Sequence, residues 1–257
     1  MAIDLERQWF LGLAELRYAR TPKRLRAYLD GRMVLDTRDA MLVYEPRRAV
    51  PWYAVPRADL DLDLTEHDPE PVPPLDSPVL PPHRNEWHTV PGRSLHLDGG
   101  GEVAFAPDEP ALGGRVVLHW EPFEWREEDE AVMGHPHDPY KRIDVLASHR
   151  HVRVELDGVV LAESTRPMML VETPLPVRWY LPREDVRMDL LTPSDQHTVC
   201  AYKGVASYLS ADGAPDVAWF YPEPLTDALR VKDMVCFWRP ATVEVDGVPQ
   251  DVSMPGE

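Results

Sequence analysis

Residues 152–163 read VRVELDGVVLAE. Apolar and polar side chains alternate on both sides of Asp157-Gly158, a dipeptide that tolerates the positive φ angles of a type I′ turn, so the stretch predicts a β-hairpin. Residues 26–36, RAYLDGRMVLD, repeat that signature around Asp30-Gly31. Leu29-Asp30-Gly31 precedes Leu156-Asp157-Gly158 by 127 positions, and further matches follow it in order. Asp36-Thr37 meets Glu163-Ser164, Met41 meets Met168, Glu45 meets Glu172, and Trp52-Tyr53 meets Trp179-Tyr180. One inserted residue then aligns Pro56-Arg57 with Pro182-Arg183 and Asp59 with Asp185. Further on, His88-Thr89-Val90 meets His197-Thr198-Val199, Val103-Ala104 meets Val217-Ala218, and Trp120 meets Trp238. Ordered blocks of this kind predict two diverged copies of one small β domain.

Working outward, short strands are predicted at Met168–Val171, Val186–Leu190, Val205–Leu209, Val217–Phe220 and Val235–Trp238, and a last hairpin around Asp246-Gly247. Prolines, which lack a ladder donor, punctuate them. Helix is sparse: Ile3–Tyr18 has helical spacing of Leu5, Trp9, Leu13 and Leu16, and Leu225–Val231 suits one or two turns. The expected fold class is all-β, two tandem homologous domains with sandwich- or barrel-like sheets and a short N-terminal helix. The domain plan is a helical segment at 1–22, a degenerate first β domain at 23–125, a linker at 126–149 and a fuller second domain at 150–252. The proline-rich stretch Asp68–Pro82 is expected to form an extended surface loop.

Composition narrows the function classes. At 257 residues each half is long enough for its own core. A net charge of −17 argues against a nucleic-acid-binding surface, which would cluster basic residues. No apolar run approaches a membrane span, and the charged N-terminal residues do not form a signal-peptide core. Two cysteines, Cys200 and Cys236, make no disulfide framework, so a cytoplasmic location is expected. Only four of the 27 basic residues are lysine, a skew that suggests a GC-rich bacterial genome and makes codon bias the plain reading of many arginines.

The second copy carries Glu163-Ser164-Thr165-Arg166-Pro167, Arg178-Trp179-Tyr180-Leu181-Pro182, Cys200-Ala201-Tyr202-Lys203-Gly204 and Trp219-Phe220-Tyr221-Pro222. Through these motifs it resembles a bacterial domain of unknown function, DUF427, catalogued with a nucleotidyltransferase-like label. The resemblance implies a small β domain, also found in tandem, and supplies no established reaction. It departs from the family's Cys-Pro-x-Lys-Gly motif at Ala201. The chain has no Gly-Ser pair followed by spaced aspartates, and two-metal phosphoryl transfer requires clustered carboxylates.

The two copies differ where chemistry could sit. The first reads Pro91-Gly92-Arg93 where the second has the thiol, tyrosine and lysine of Cys200, Tyr202 and Lys203. That contrast suggests a working copy and a supporting one, with loop drift as the plain alternative. Cys200 is a candidate nucleophile if Lys203 or His197 stabilises its thiolate, or else a small buried hydrophobe. Lys203 suits anion binding better than amine chemistry, because the first copy offers Arg93 nearby, or else it is a solvated turn charge. Glu163 and Arg166 are three residues apart and are expected to form an ion pair. Glu172, Tyr180 and Asp185, matched in both copies, are better explained by fold maintenance.

His135, His137, His149 and His151 form a histidine cluster in which His-Pro-His, with Asp138, could reach one metal. No second ligand pair is evident, so no metal and no cofactor is assigned. Trp52, Trp120, Trp179 and Trp238 are expected core residues; Trp219, Tyr221, Tyr202 and Tyr208 could line a pocket. The leading expectation is a small-molecule pocket for an anionic ligand in the second domain, built from Glu163, Arg166, Tyr180, Cys200, Tyr202 and Lys203. The alternatives are a protein–protein interaction or scaffolding module with an acidic surface, and a Cys- or Lys-dependent enzyme acting on an anion.

Overall fold

A computed structural model describes residue 2 and residues 12–74, 79–80 and 84–252. The chain divides into two compact units between Asp138 and Pro139. The first holds β1 (Arg17–Arg20), β2 (Leu25–Leu29), β3 (Arg32–Thr37), β4 (Met41–Tyr44), β5 (Trp52–Pro56), β6 (Leu64–His67), β7 (Gly92–Leu97), β8 (Glu102–Pro107), β9 (Arg115–Leu118), β10 (Glu124–Glu127) and β11 (Glu130–Val132). The second holds β12 (Ile143–Ala147), β13 (Val152–Leu156), β14 (Val159–Ser164), β15 (Met168–Glu172), β16 (Arg178–Leu181), β17 (Thr192–Cys200), β18 (Gly204–Ala211), β19 (Ala214–Phe220), β20 (Val235–Phe237), β21 (Thr242–Val245) and β22 (Val248–Pro249). The fold is all-β.

In the first unit a seven-stranded sheet has the order β1-β4-β5-β9-β8-β7-β6 and a four-stranded sheet the order β11-β10-β2-β3. In the second unit the orders are β12-β15-β16-β20-β19-β18-β17 and β14-β13-β21-β22. Counting strands within each unit, these are the same two sheets. Each pair encloses a core: Leu25, Leu35, Tyr53 and Leu118 in the first unit, Val154, Trp179, Leu181 and Phe237 in the second. The far face of the second unit's large sheet buries a second cluster, Leu170, Tyr180, Ala206, Tyr221, Val231 and Cys236. The 3-10 segment Thr226–Val231 contributes Ala228 and Val231 to that layer.

The hairpin that decided the fold has the expected turn. Asp157 and Gly158 take φ of 49° and 81°, and Asp30 and Gly31 take 50° and 76°. Both hairpins also shift register at the same place, between Ala27 and Tyr28 and between Val154 and Glu155. Such a bulge bends the strand and tightens its twist.

Several expectations need correction. The predicted N-terminal helix falls largely at residues 3–11, outside the described residues, and its last part is strand. Tyr18 pairs with Val43, so tertiary ladder bonding overrides the apolar spacing around it. Val186–Leu190 is not a strand: Val186 makes one isolated bridge to Ala162, and Met188–Leu190 is a 3-10 turn. Residues 126–149 include parts of three strands: β10 and β11 pair with each other, and β12 pairs with β15. Asp68–Pro82 holds no strand among its described residues, though Glu70 bridges to Trp87.

The match of Trp52-Tyr53 to Trp179-Tyr180 is one residue out of step with the ladders. Tyr53 faces Leu42 and Trp179 faces Met169, so Tyr53 occupies the place of Trp179. Trp52 belongs instead to a small cluster with Met41, Val43 and Leu112. Trp52 and Trp179 are both buried, whereas Trp120 and Trp238 are half-buried against the cores. Likewise Cys236 pairs with Tyr180 as Val117 pairs with Ala54, so its counterpart in the first unit is Val117.

Candidate functional site

The second unit's polar centre is built around Glu172, the last residue of β15. Its side chain is 4% exposed, and two ammonium groups share it: Lys203 Nζ donates to Oε2, and Lys141 Nζ lies 2.8 Å from Oε1. Burial pushes the Glu172 carboxyl up, but the charges of Lys203 and Lys141 outweigh it and hold the group below the usual carboxylate range. Lys141 also sits over the Tyr202 ring, 5.2 Å from its centroid. One carboxylate against two ammoniums leaves a positive charge in a largely buried place.

Local geometry explains how Lys203 reaches this point. Cys200 pairs with Gly204, so Ala201, Tyr202 and Lys203 form the tight connection between β17 and β18. Gly204 has φ of +95°, and a Cβ there would stand 3.2 Å from the Glu223 carbonyl oxygen. Only glycine suits both constraints. The Leu225 N–H then donates to the Lys203 carbonyl at 3.1 Å, fixing the turn against the chain that follows β19.

Tyr180 and Tyr221 line the same sheet face. Trp219 Nε1 donates to the Tyr180 hydroxyl at 3.1 Å. Burial raises both phenols well above their ordinary value, so neither is a ready base. Cys236 is buried and its thiol is pushed up to about 12 by burial, which removes it as a nucleophile. Cys200 is half-buried at the end of β17.

Glu163 and Arg166 are not part of this centre, and they do not pair with each other as expected. Glu163 lies opposite Arg153 on the β13–β14 ladder and pairs with His151 Nε2 at 2.8 Å and with Arg153 at 3.6 Å. Arg166 follows a turn in which its N–H donates to Ser164 Oγ, and its guanidinium clasps Asp185 at 3.0 and 2.9 Å. Ser164 Oγ donates to the same carboxylate at 2.7 Å. The first unit repeats this construction without the arginine: Thr37 donates to Asp59 at 2.6 Å, and Asp39 N–H donates to Thr37 at 3.1 Å. There the site opens as a polar groove of about 570 Å³ lined by Arg24, Asp36, Thr37, Arg38, Asp39 and Asp59. The six expected pocket residues therefore do not form one group. Lys203 and Tyr202 lie at the Glu172 centre, Tyr180 lies on the same sheet face, and Cys200 ends β17. Arg166 sits at the Asp185 turn, and Glu163 faces His151 and Arg153 on the β13–β14 ladder.

Sequence reasoning missed a second buried centre, in the first unit. Glu45 is 1% exposed and accepts from His88 Nδ1 at 2.9 Å and from the Thr89 N–H at 3.0 Å. His88 Nε2 lies 2.7 Å from Glu102 Oε1, and His119 Nε2 lies 3.3 Å from that same oxygen. Burial pushes Glu102 up, but His119 and His88 prevail and hold it at about 2. Burial lowers His88, yet its bonds to Glu102 and Glu45 leave it raised.

The miss has a cause. His88-Thr89-Val90 was matched to His197-Thr198-Val199, but His197 is exposed on β17 whereas the His88 side chain is fully enclosed. At the matched carboxylate position, Glu45 takes a histidine and Glu172 takes lysines. The legible signal was the matched glutamate, which has a buried cationic partner in both units. Of the linker histidines, His135 Nδ1 contacts the Pro136 carbonyl at 2.8 Å and His151 pairs with Glu163.

Fold and sites define an all-β, two-unit protein in which each large sheet carries a buried carboxylate–cation centre. Residues 144–249 match the family model described as a domain of unknown function, DUF427, which places the match on the second unit. No curated protein matches the chain. Among the described residues, no helix is long and apolar enough to cross a membrane.

Proposed function

We propose that the second unit is a binding module for a small anionic molecule, with Lys141 and Lys203 as its anion-facing groups and Glu172 as the carboxylate that fixes them. The observation that carries this reading is the sharing of one buried carboxylate by two ammoniums. Tyr202, beneath Lys141, gives the site an aromatic wall. Glu163, on the β13–β14 ladder, and Arg166, at the Asp185 turn, are engaged elsewhere and are not ligand contacts on this reading. The coincident sheet orders support descent of both units from one domain, the first having exchanged the lysine centre for a histidine one. Two free cysteines suit the reducing cytoplasm of a bacterial host. An enzymatic role for Lys203 is less well supported, because its amine is engaged by Glu172 and a nucleophilic amine needs its lone pair.

Calorimetric titration with inorganic phosphate and with citrate tests the proposal. Binding to the wild-type chain that is lost in Lys203→Met and Lys141→Met, both still folded at the assay temperature, supports it; equal binding by wild type and both variants refutes it. The scaffold reading is favoured by one observation. β17 is an edge strand with Val199 half exposed, and such an edge can accept a partner strand.

A further inference from the structure

We propose that His88, Glu102 and His119 of the first unit bind one divalent transition-metal ion of the zinc type. This site is separate from the anion reading of the second unit and stands or falls without it. Two imidazole nitrogens and one carboxylate oxygen are a donor set that suits zinc and its first-row neighbours. The three donor atoms lie within 4.8 Å of one another. They converge from three places in the large sheet: His88 precedes β7, Glu102 opens β8, and His119 follows β9.

The distances suit an ion. Donors about 2.0–2.1 Å from a tetrahedral metal stand about 3.3 Å apart. His119 Nε2 and Glu102 Oε1 are already 3.3 Å apart. His88 Nε2 and Glu102 Oε1, at 2.7 Å, need to open by about 0.6 Å, a side-chain adjustment. An ion pair between His88 and Glu102 alone would explain those two residues. It does not explain His119, which is 3% exposed and whose Nε2, although 3.3 Å from the shared oxygen, has no hydrogen-bond partner among the described residues. A buried nitrogen in that state normally has a partner.

The surroundings are those of a built site. His88 donates its other nitrogen to Glu45, which in turn is held by the Thr89 N–H. Carboxylates in that position orient metal-bound histidines and set their tautomer. Phe105 stacks on His88 at 3.7 Å between centroids, and Trp52 packs on His119 at 5.3 Å. His96 Nε2, partly exposed, lies 4.0 Å from Glu102 Oε2, outside the three-donor cluster. Arg48, buried over Trp52, is the cation that faces the cluster; one guanidinium against Glu45 and Glu102 still leaves net negative charge for a divalent ion.

The test uses the full chain, stripped with chelator and titrated with Co2+, then with Zn2+. The expected result is one Co2+ per chain with visible d–d absorption, displaced by Zn2+, and X-ray absorption of the zinc form showing two imidazoles and no sulfur. His119→Gln and Glu102→Gln should weaken binding more than about tenfold. Glu45→Gln, a positioning change, should weaken it about 10–100-fold while keeping one ion per chain. Should the buried variants misfold, the X-ray absorption of wild type and the linker variant His135→Ala/His137→Ala decide the matter, since that variant, at two half-buried histidines outside the cluster, must bind normally. Absence of stoichiometric Co2+ binding, loss of it in the linker variant, or unchanged binding in folded His119→Gln would overturn the proposal.

Discussion

Replacing Glu172 by glutamine removes one charge at nearly constant volume and exposes the energetic logic of the second unit's centre. The variant leaves two ammoniums facing each other with side chains only 15% and 11% exposed. Removing one partner of a buried ion pair costs about 3–5 kcal/mol, because the remaining charge is stranded away from water. Lys203→Met has the opposite character: it leaves a one-to-one pair between Glu172 and Lys141 at 2.8 Å and should cost about 1 kcal/mol. The two single changes should therefore differ several-fold, and the double variant Glu172→Gln/Lys203→Met should be more stable than Glu172→Gln alone. Since about 1 kcal/mol moves Tm by 4–8 °C in a unit of roughly 100 residues, Glu172→Gln should lower it by on the order of 12 °C or more.

The assay is denaturant and thermal unfolding of the full chain, following the transition that Trp179→Ala also shifts so that the second unit is read by itself. pH adds a check. The Glu172 pKa is depressed in the folded state, so its stabilisation is present above the unfolded value and disappears as pH falls through the folded one. The acid limb should flatten in Glu172→Gln. Equal costs for Glu172→Gln and Lys203→Met, or an unchanged acid limb, would refute the shared-carboxylate account.

Trp179→Ala should destabilise the second unit by about 3–5 kcal/mol, since the ring is 4% exposed in the sandwich core; near-native unfolding would show that the ring is not structural. Gly204→Ala should cost about 1–3 kcal/mol, because φ of +95° and the Glu223 carbonyl both oppose a Cβ, and its effect on phosphate binding should track Lys203→Met. Arg166→Ala should leave the melting temperature of the second unit nearly unchanged despite its two-point clasp of Asp185, since the guanidinium is largely exposed and solvent screens the pair. A large loss there would return the turn to the list of functional residues.

The sequence carried the sheet architecture because β-hairpins are locally encoded. Asp-Gly at positive φ, alternation on either side and prolines between strands are all readable within about ten residues, and Asp30, Asp157 and Asp246 adopt that turn. What escaped was set by pairing across the chain. The step between Trp52-Tyr53 and Trp179-Tyr180 turns on one inserted residue, and a shift of one position moves a side chain to the opposite face of a sheet. Identity of letters therefore aligned Trp with Trp while the ladders align Tyr53 with Trp179.

The same limit applies to the sites. Spacing along the chain put Glu163 near Arg166, but a strand directs the first across the ladder to Arg153 and a hydroxyl-stabilised turn sends the second to Asp185. Glu45 and Glu172 point the other way. Both were read as fold maintenance because both units have them, yet a buried carboxylate has to be matched by a cation. The identity of that partner is where the units part: Lys141 and Lys203 on Glu172, and His88, which also meets Glu102, on Glu45. A shared glutamate therefore fixes where chemistry can occur in this fold, and the unshared partner determines which chemistry it is.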